Sequence, residues 1–166
     1  MTMIVTGGSR GIGAATVRLA AERGYAVCVN YLAARDAAER AVRAIVERGG
    51  RAAAVQADVS VESDVVRLFE ETTAALGPVT ALVNNAATLE TQMRVDAMDA
   101  ARMARIFAVN AIGPMLCARE AVRRMSTRFG GRGGAIVNVS SVAAKYGSAG
   151  EYVDYAASKG AIETFT

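Results

Sequence analysis

Apolar and polar positions follow one another along the chain in two alternating patterns. Short runs of β-branched and apolar residues predict strands, and longer stretches with apolar residues three and four positions apart predict amphipathic helices. Each predicted strand is followed by a helix, so the pattern indicates a parallel sheet with helices on both faces. The predicted strands cover residues 2–6, 25–30, 51–57, 79–84 and 134–140, and the predicted helices cover residues 11–23, 35–48, 61–75, 97–129 and 152–166.

Glycines mark the ends of the predicted helices. Gly24, the Gly49-Gly50 pair and Gly77 each follow a helical pattern, as is usual for residues that end a helix. The segment 97–129 is long enough to contain a break. No repeat, low-complexity tract or linker divides the sequence, so residues 1–166 are predicted to form one α/β domain with a doubly wound parallel sheet.

Composition argues against several classes of protein. The chain has 166 residues, of which 52% are hydrophobic, so it can bury a sizeable core and is not expected to be disordered. Its 19 basic and 16 acidic residues are interspersed, and the net charge therefore does not predict a nucleic-acid surface. No apolar run reaches the ~18 residues of a membrane span. The first residues lack the basic region of a signal peptide, so we expect a cytoplasmic protein.

The chain contains no His and two Cys residues. The absence of His excludes a Ser-His-Asp triad and His-based metal sites. Cys28 falls in a predicted strand and Cys117 in a predicted helix, and no CxxC motif is present. Both are therefore predicted to be small buried hydrophobic residues, and no metal site is predicted.

The candidate chemistry begins with the stretch Asp154-Tyr155-Ala156-Ala157-Ser158-Lys159. Residues four apart on a helix share one face, so Tyr155 and Lys159 would project side by side. A phenol ordinarily ionises near pH ~10, and a neighbouring ammonium favours the phenolate. Such a Tyr could exchange a proton with a substrate oxygen near neutral pH. The alternative interpretation is an ordinary solvated helix face.

A glycine-rich motif, Thr6-Gly7-Gly8-Ser9-Arg10-Gly11-Ile12-Gly13, lies between the first predicted strand and the first predicted helix. Glycines there allow a tight turn and a close approach to a pyrophosphate, and free N–H groups at the helix start face the anion. A glycine triplet can be merely a turn, but its place between a strand and an Ala-rich helix favours a dinucleotide site. The candidate cofactor-binding residues here are Gly7, Ser9, Arg10, Gly11, Ile12 and Gly13.

The TGxxxGxG spacing, followed far downstream by YxxxK, resembles the short-chain dehydrogenase/reductase family over the whole chain. The resemblance implies a Rossmann fold that binds NAD(P). It also implies that Asp58 and Val59, after the third strand, contact the adenine. In Asn84-Asn85-Ala86-Ala87, Asn84 would tie the central strands together and Ala86 would lie along the cofactor, while Ala87 replaces the usual Gly.

The same resemblance implies the catalytic residues. Asn110 stands where the family's catalytic Asn breaks the long helix and holds a water of a proton relay. Ser141 would orient the substrate oxygen, with Ser140 as the alternative. Tyr155 would act as the general acid or base, and Lys159 would bind the nicotinamide ribose and favour the phenolate. The implied function is hydride transfer between NADP(H) and a small carbonyl or secondary alcohol substrate.

NADP is expected in preference to NAD, although NAD stays possible. An NAD-selective site needs a carboxylate after the second strand, where this sequence has Asn30-Tyr31. No negative charge would then repel a 2′-phosphate, so Asn30 is counted among the cofactor-binding residues. Arg10, with Arg35 as a second candidate, could pair with that phosphate.

The last helical pattern leaves two other functions open, because it continues to Thr166 without a capping glycine. The family continues past this helix into another strand, a substrate-covering helix and a final edge strand. Without them the fifth strand would be an exposed apolar edge, so we expect a chain ending at Thr166 to be poorly soluble or inactive. It could then be a non-catalytic dinucleotide-binding module. It could also be an oligomerisation fragment, since the family packs dimers or tetramers through the helices predicted at 97–129 and 152–166.

Overall fold

The structure is a computed structural model that describes residues 1–166. Its five strands form one fully parallel sheet in the order β3-β2-β1-β4-β5. The strands are β1 (Thr2–Val5), β2 (Ala26–Tyr31), β3 (Ala52–Gln56), β4 (Val79–Asn84) and β5 (Ala135–Asn138). The chain runs outward from β1 in one direction and then returns to the other side of β1, so the strand order reverses between β1 and β4. This confirms the predicted doubly wound Rossmann sheet and places its switch point beside β1.

Seven α-helices cover the sheet: α1 (Gly11–Glu22), α2 (Arg35–Val46), α3 (Glu62–Leu76), α4 (Ala100–Phe107), α5 (Gly113–Met125), α6 (Ala143–Tyr146) and α7 (Val153–Phe165). Two apolar clusters lie between these helices and the two faces of the sheet. The neighbouring residues Ile4 and Val5 of β1 are both fully buried, one in each cluster. Successive strand residues point to opposite faces, which explains why the strands read as continuous apolar runs.

The helix predicted over 97–129 is divided in two. A π-helical turn, Ala108–Ile112, separates α4 from α5 and contains the buried Asn110. Two smaller differences from the sequence-based expectation concern β2 and α6. Strand β2 extends to Tyr31, one residue beyond its predicted end, and α6 lies in a segment predicted as loop. A helix of one turn is too short to show a periodic pattern of apolar positions.

Both cysteines are fully buried, as predicted. Burial raises the pKa of the Cys28 and Cys117 thiols to about 12, so both remain protonated at neutral pH. No group of three or more His, Cys, Asp or Glu side chains is placed to hold a metal ion. None of the helices has the length and apolar character that crossing a membrane requires.

Candidate active site

A cleft of about 430 Å³ opens at the carboxyl ends of the strands, beside the switch point. Its walls are the glycine-rich loop and the loops that follow β2, β3 and β4. This is the position at which ligands bind in open α/β sheets. Seven of the predicted cofactor-binding residues line it: Gly7, Ser9, Arg10, Asn30, Asp58, Val59 and Ala86.

The glycine-rich loop packs closely against the loop that follows β4. Gly7 has a φ of +61°, and a Cβ there would lie 3.0 Å from Cα of Ala86. At Gly13, a Cβ would clash with the carbonyl oxygen of Gly7 and lie 2.6 Å from Nδ2 of Asn85. Gly7 is therefore required by its left-handed backbone conformation. Gly13 is required by the close approach of the Gly7 carbonyl and the Asn85 side chain.

The start of α1 offers unpaired backbone donors. The N–H groups of the first helical turn, which includes Gly11, Ile12 and Gly13, have no partner inside the helix. Arg10 occupies the N-cap position and makes no side-chain capping bond. Its side chain is exposed, so both the backbone donors and the guanidinium can meet an anion.

Asn30, predicted to contact the cofactor, lines the cleft and also holds the glycine-rich loop in place. Its side chain is only 2% exposed. Its Oδ1 accepts the N–H of Gly7 at 3.2 Å, and its Nδ2 donates to the carbonyl oxygens of Val55 and Ala57 at 3.3 and 3.0 Å. The Asn30 side chain therefore connects the glycine-rich loop to β3 and to the residue that follows it. Strand β2 itself continues for one residue beyond Asn30, to Tyr31. The residues that follow the strand are Leu32, Ala33 and Ala34, none of which carries a charge.

Asp58 begins the loop after β3. Its Oδ1 accepts hydrogen bonds from the backbone N–H and the hydroxyl of Ser60, at 2.9 and 2.7 Å. Its own N–H donates to Asp64. The other carboxylate oxygen of Asp58 makes no hydrogen bond, so this residue can stabilise its loop and still accept one from a ligand. The adjacent Val59 is buried against Gly113 of α5.

Asn84 lies at the end of β4 and joins three elements. Its Nδ2 donates to the carbonyl oxygen of Pro114 in α5 at 3.1 Å and to Oδ1 of Asn138 in β5 at 2.9 Å. Its Oδ1 is buried without a hydrogen-bond partner. The Asn84 side chain thus connects β4 to α5 and to β5, the edge strand of this sheet.

Tyr155 and Lys159 lie together on α7. Lys159 is 4% exposed, and its Nζ lies 5.8 Å from the centre of the Tyr155 ring. The same Nζ donates to the carbonyl oxygen of Val139 at 2.8 Å, just past the end of β5. Burial lowers the pKa of Lys159. Tyr155 is half-buried, so its ring remains partly accessible from the solvent.

Asn110 connects this helix to the loop after β4. Its Oδ1 accepts the N–H of Thr88 at 2.7 Å, and its Nδ2 donates to the Thr88 carbonyl at 2.9 Å and to Oγ of Ser158 at 3.2 Å. Ser158 in turn donates to the carbonyl oxygen of Tyr155 at 2.7 Å. A single amide side chain thus links the π-helical turn, the loop after β4 and the helix that carries Tyr155.

The two candidate serines at the end of β5 have different surroundings. Ser140 donates to Oε1 of Glu163 at 2.9 Å and is therefore engaged by the far part of α7. Oγ of Ser141 accepts the N–H of Ala143 at 3.2 Å, and its own proton has no acceptor in the protein. Ser141 can therefore still donate to a substrate oxygen, although no hydrogen bond joins it to Tyr155.

Sequence reasoning missed several polar residues that organise the site. Asn85 donates to the carbonyl oxygens of Thr6 and Gly7. Further residues without a predicted role are Thr88, Arg102, Asp154 and Ser158. Asn85, Asp154 and Ser158 carried a signal, because each lies within a motif that the sequence analysis singled out. Thr88 and Arg102 resemble ordinary polar positions of loops and helices.

A larger cavity of about 620 Å³ lies at the opposite end of the sheet, between α1 and α2. None of the predicted site residues lines it. It also lies at the amino ends of the strands, away from the switch point, where open α/β sheets do not bind their ligands. Position and chemistry therefore favour the smaller cleft as the functional site.

The fold and this cleft define an α/β protein with a glycine-rich turn and a Tyr-Lys pair at the carboxyl edge of its sheet. The family model for short chain dehydrogenases matches residues 1–166. YgfF, an uncharacterized oxidoreductase of Escherichia coli (strain K12), is 53% identical over 163 residues, which cover 98% of this chain and 66% of that protein. The chain belongs to the short-chain dehydrogenase family.

Two further comparisons agree with this assignment. A 3-oxoacyl-[acyl-carrier-protein] reductase of Synechocystis sp. is 35% identical, with 98% of this chain and 64% of that protein covered. The crystal structure of a dehydrogenase/reductase from Sinorhizobium meliloti 1021 matches with a TM-score of 0.91 and 34% identity, over 99% of this chain and 63% of that one. The chain thus spans 63–66% of the length of these three relatives.

Proposed function

We propose that this chain carries the cofactor and catalytic sites of an oxidoreductase that transfers a hydride between NADP(H) and a carbonyl or secondary alcohol. The observation that carries the proposal is the contact of Lys159 with both the Tyr155 ring and the end of β5. A phenol and a cation thus lie at the carboxyl edge of the sheet, where the glycine-rich loop begins, and this supports the proposal. We also propose that residues 1–166 act as one domain.

The residues of the cleft fit a dinucleotide. The free N–H groups at the start of α1 would bind the pyrophosphate. The unbonded oxygen of Asp58 would accept from the adenine amine, and Ala86 would lie along the cofactor. Lys159 uses one of its three N–H donors on Val139, so two remain for ribose hydroxyls.

The protein's own part in the reaction is to handle the proton. The bound nicotinamide would supply or accept the hydride. Tyr155 would give its phenolic proton to the substrate oxygen during reduction and take it back during oxidation. Lys159 would stabilise negative charge on the phenol oxygen, and Ser141 would hold the substrate oxygen in place. The hydrogen bonds of Asn110 to Thr88 and Ser158 would hold Tyr155 in a fixed position relative to the loop after β4, which would lie along the cofactor.

Replacing Tyr155 with Phe tests this proposal. The hydroxyl acts only in the reaction, so in a catalytically complete form of the protein turnover of NADPH with a panel of ketones should fall by about 100- to 10,000-fold. NADPH affinity, measured by fluorescence titration, should not change. Tyr152→Phe is the matched control, since Tyr152 has no Lys four positions later and should keep its activity. Substantial turnover by the Tyr155→Phe variant would exclude Tyr155 as the acid or base.

The preference for NADP(H) rests on charge. Leu32, Ala33 and Ala34 after β2 provide no carboxylate to repel a 2′-phosphate, and the exposed Arg10 can pair with it. NADP⁺ should bind more tightly than NAD⁺ in parallel titrations. Arg10→Ala should weaken NADP⁺ binding about tenfold or more and leave NAD⁺ nearly unaffected. Arg35→Ala, at the second candidate position, provides the comparison. Equal or tighter binding of NAD⁺ by the unaltered chain would overturn the assignment.

A further inference from the structure

A buried ion pair lies directly beside Tyr155. Nε of Arg102 in α4 donates to Oδ2 of Asp154 in α7 at 2.7 Å, and the two side chains are only 4% and 2% exposed. A second guanidinium nitrogen lies 3.5 Å from Oδ1 of the same carboxylate. Both charges lose their hydration here, and a well-packed apolar pair of similar volume would often stabilise a fold equally well. Stability alone therefore does not account for this pair.

The remaining hydrogen bonds of the pair lead to two parts of the proposed site. Oδ1 of Asp154 accepts the backbone N–H of Tyr155 at 2.9 Å. Nη1 of Arg102 donates to the carbonyl oxygen of Thr91, in the loop after β4, at 2.6 Å. The N–H of Met93 in that loop donates to the carbonyl oxygen of Glu151, just ahead of α7. The pair thus connects the loop after β4 to the first turn of α7.

The start of α7 has no other side chain to fix it. Tyr152 occupies the N-cap position and makes no side-chain capping bond. Burial acts to raise the pKa of Asp154, but the hydrogen bonds from Arg102 and from the Tyr155 N–H outweigh it and lower that pKa. The carboxylate is therefore ionised at neutral pH, and its negative charge interacts favourably with the positive end of the helix dipole at the start of α7.

We propose that Arg102 and Asp154 are positioning residues that set the orientation of the first turn of α7, and with it Tyr155, relative to the loop after β4. Both side chains are buried, and neither lines the cleft. The guanidinium is planar and forked, so it binds Asp154 and Thr91 in one fixed arrangement that a Lys cannot reproduce. The inference rests on the proposed function of Tyr155 only where it concerns turnover.

The first test uses the double variant Arg102→Met/Asp154→Leu, which removes both charges together and leaves no unpaired ion. It should unfold at about the same temperature as the unaltered chain and bind NADPH with similar affinity. Its kcat should fall about 100-fold with little change in KM, because small displacements of a reacting group have effects of that size. A double variant with unaltered kcat would overturn the proposal.

A second readout does not depend on turnover. The chain is labelled with 3-fluorotyrosine, and the fluorine resonance of Tyr155 is identified as the one missing from Tyr155→Phe. In the double variant this resonance should shift or broaden, while that of Tyr25, which lines the cavity at the opposite end of the sheet, stays in place. An unchanged Tyr155 resonance in a folded double variant would refute the positioning role.

Two further variants keep the outcomes distinct. Arg102→Lys retains the buried positive charge and should still disturb the Tyr155 resonance, so it serves if the double variant does not fold. An unchanged resonance in Arg102→Lys would then overturn the proposal. If Tyr155→Phe retains turnover, the proposed catalytic function fails, and the fluorine spectrum still decides whether Arg102 and Asp154 position Tyr155.

Discussion

The two halves of the candidate site, the nucleotide half and the catalytic half, are held by different kinds of interaction. The nucleotide half, formed by the loops after β1 and β2 that we propose bind the cofactor, is fixed by neutral groups such as the Asn30 amide. The catalytic half comprises the loop after β4, the π-helical turn and α7. It depends on the buried charges of Lys159, Arg102 and Asp154. A surface that cradles a whole ligand can be made from turn backbone, whereas a proton-transfer site requires a few side chains held in fixed positions.

The largest effect should follow from filling the close contact between the glycine-rich loop of the nucleotide half and the loop after β4. Gly13→Val would place a branched side chain against the Gly7 carbonyl and the Asn85 amide. The loop must then move, and NADPH affinity should fall by more than about 100-fold, measured by fluorescence titration.

Gly160→Ala provides the control in the catalytic half. A Cβ at Gly160 of α7 would meet no neighbouring atom, so NADPH binding should be retained. Because Ala favours a helix over Gly, stability should rise by about 0.5–1 kcal/mol. Tight NADPH binding by Gly13→Val would show that this close contact does not control the nucleotide half.

Removing the Asn30 amide should have a smaller effect, on stability. Asn30→Ala leaves the Gly7 N–H and the carbonyl oxygens of Val55 and Ala57 without their partner. The free energy of unfolding in urea should fall by about 1–3 kcal/mol. Gln56→Ala is a matched control, because Gln56 is an exposed amide on the neighbouring strand and its loss should cost less than about 0.5 kcal/mol. Equal losses in the two variants would contradict the structural role of Asn30.

The nucleotide half was largely predictable because its main determinants are local in sequence. A strand, a glycine-rich turn and a helix follow one another within residues 2–23, and the backbone that the glycines permit is the feature that faces the ligand. The hydrogen bonds of Asn30 were not predictable. They join β2 to the glycine-rich loop and to residues 55 and 57, which lie 23 to 27 positions away, and no local pattern marks such partners.

The catalytic half was predictable only where spacing along one helix sufficed. Tyr155 and Lys159 are four apart, so a helical pattern alone places them together. The contacts that hold them join distant parts of the chain: Arg102 and Asp154 are 52 positions apart, and Asn110 and Ser158 are 48 apart. No periodic pattern distinguishes such partners from solvated polar residues. The fold has to be known before they can be paired.

The smallest expected difference between the two halves concerns how their contributions to the free energy of unfolding depend on pH. The lowered pKa of Asp154 means that the folded protein holds the carboxylate more strongly in its ionised form than the unfolded chain does. Its stabilisation is therefore present above the ordinary Asp pKa of about 3.9, and it is lost as the pH falls through the lower value of the folded state. Asn30 does not titrate, so its contribution has no such dependence.

We therefore expect the difference in unfolding free energy between the unaltered chain and Asp154→Asn to be constant from about pH 7 to about pH 5 and to shrink below about pH 4. The corresponding difference for Asn30→Ala should remain constant over the whole range. Urea unfolding of the three proteins in matched buffers measures both quantities. Parallel pH curves for the two variants would show that the Arg102–Asp154 pair contributes no ionic stabilisation. The contrast between the neutral contacts of Asn30 and the charged contacts of α7 would then fail.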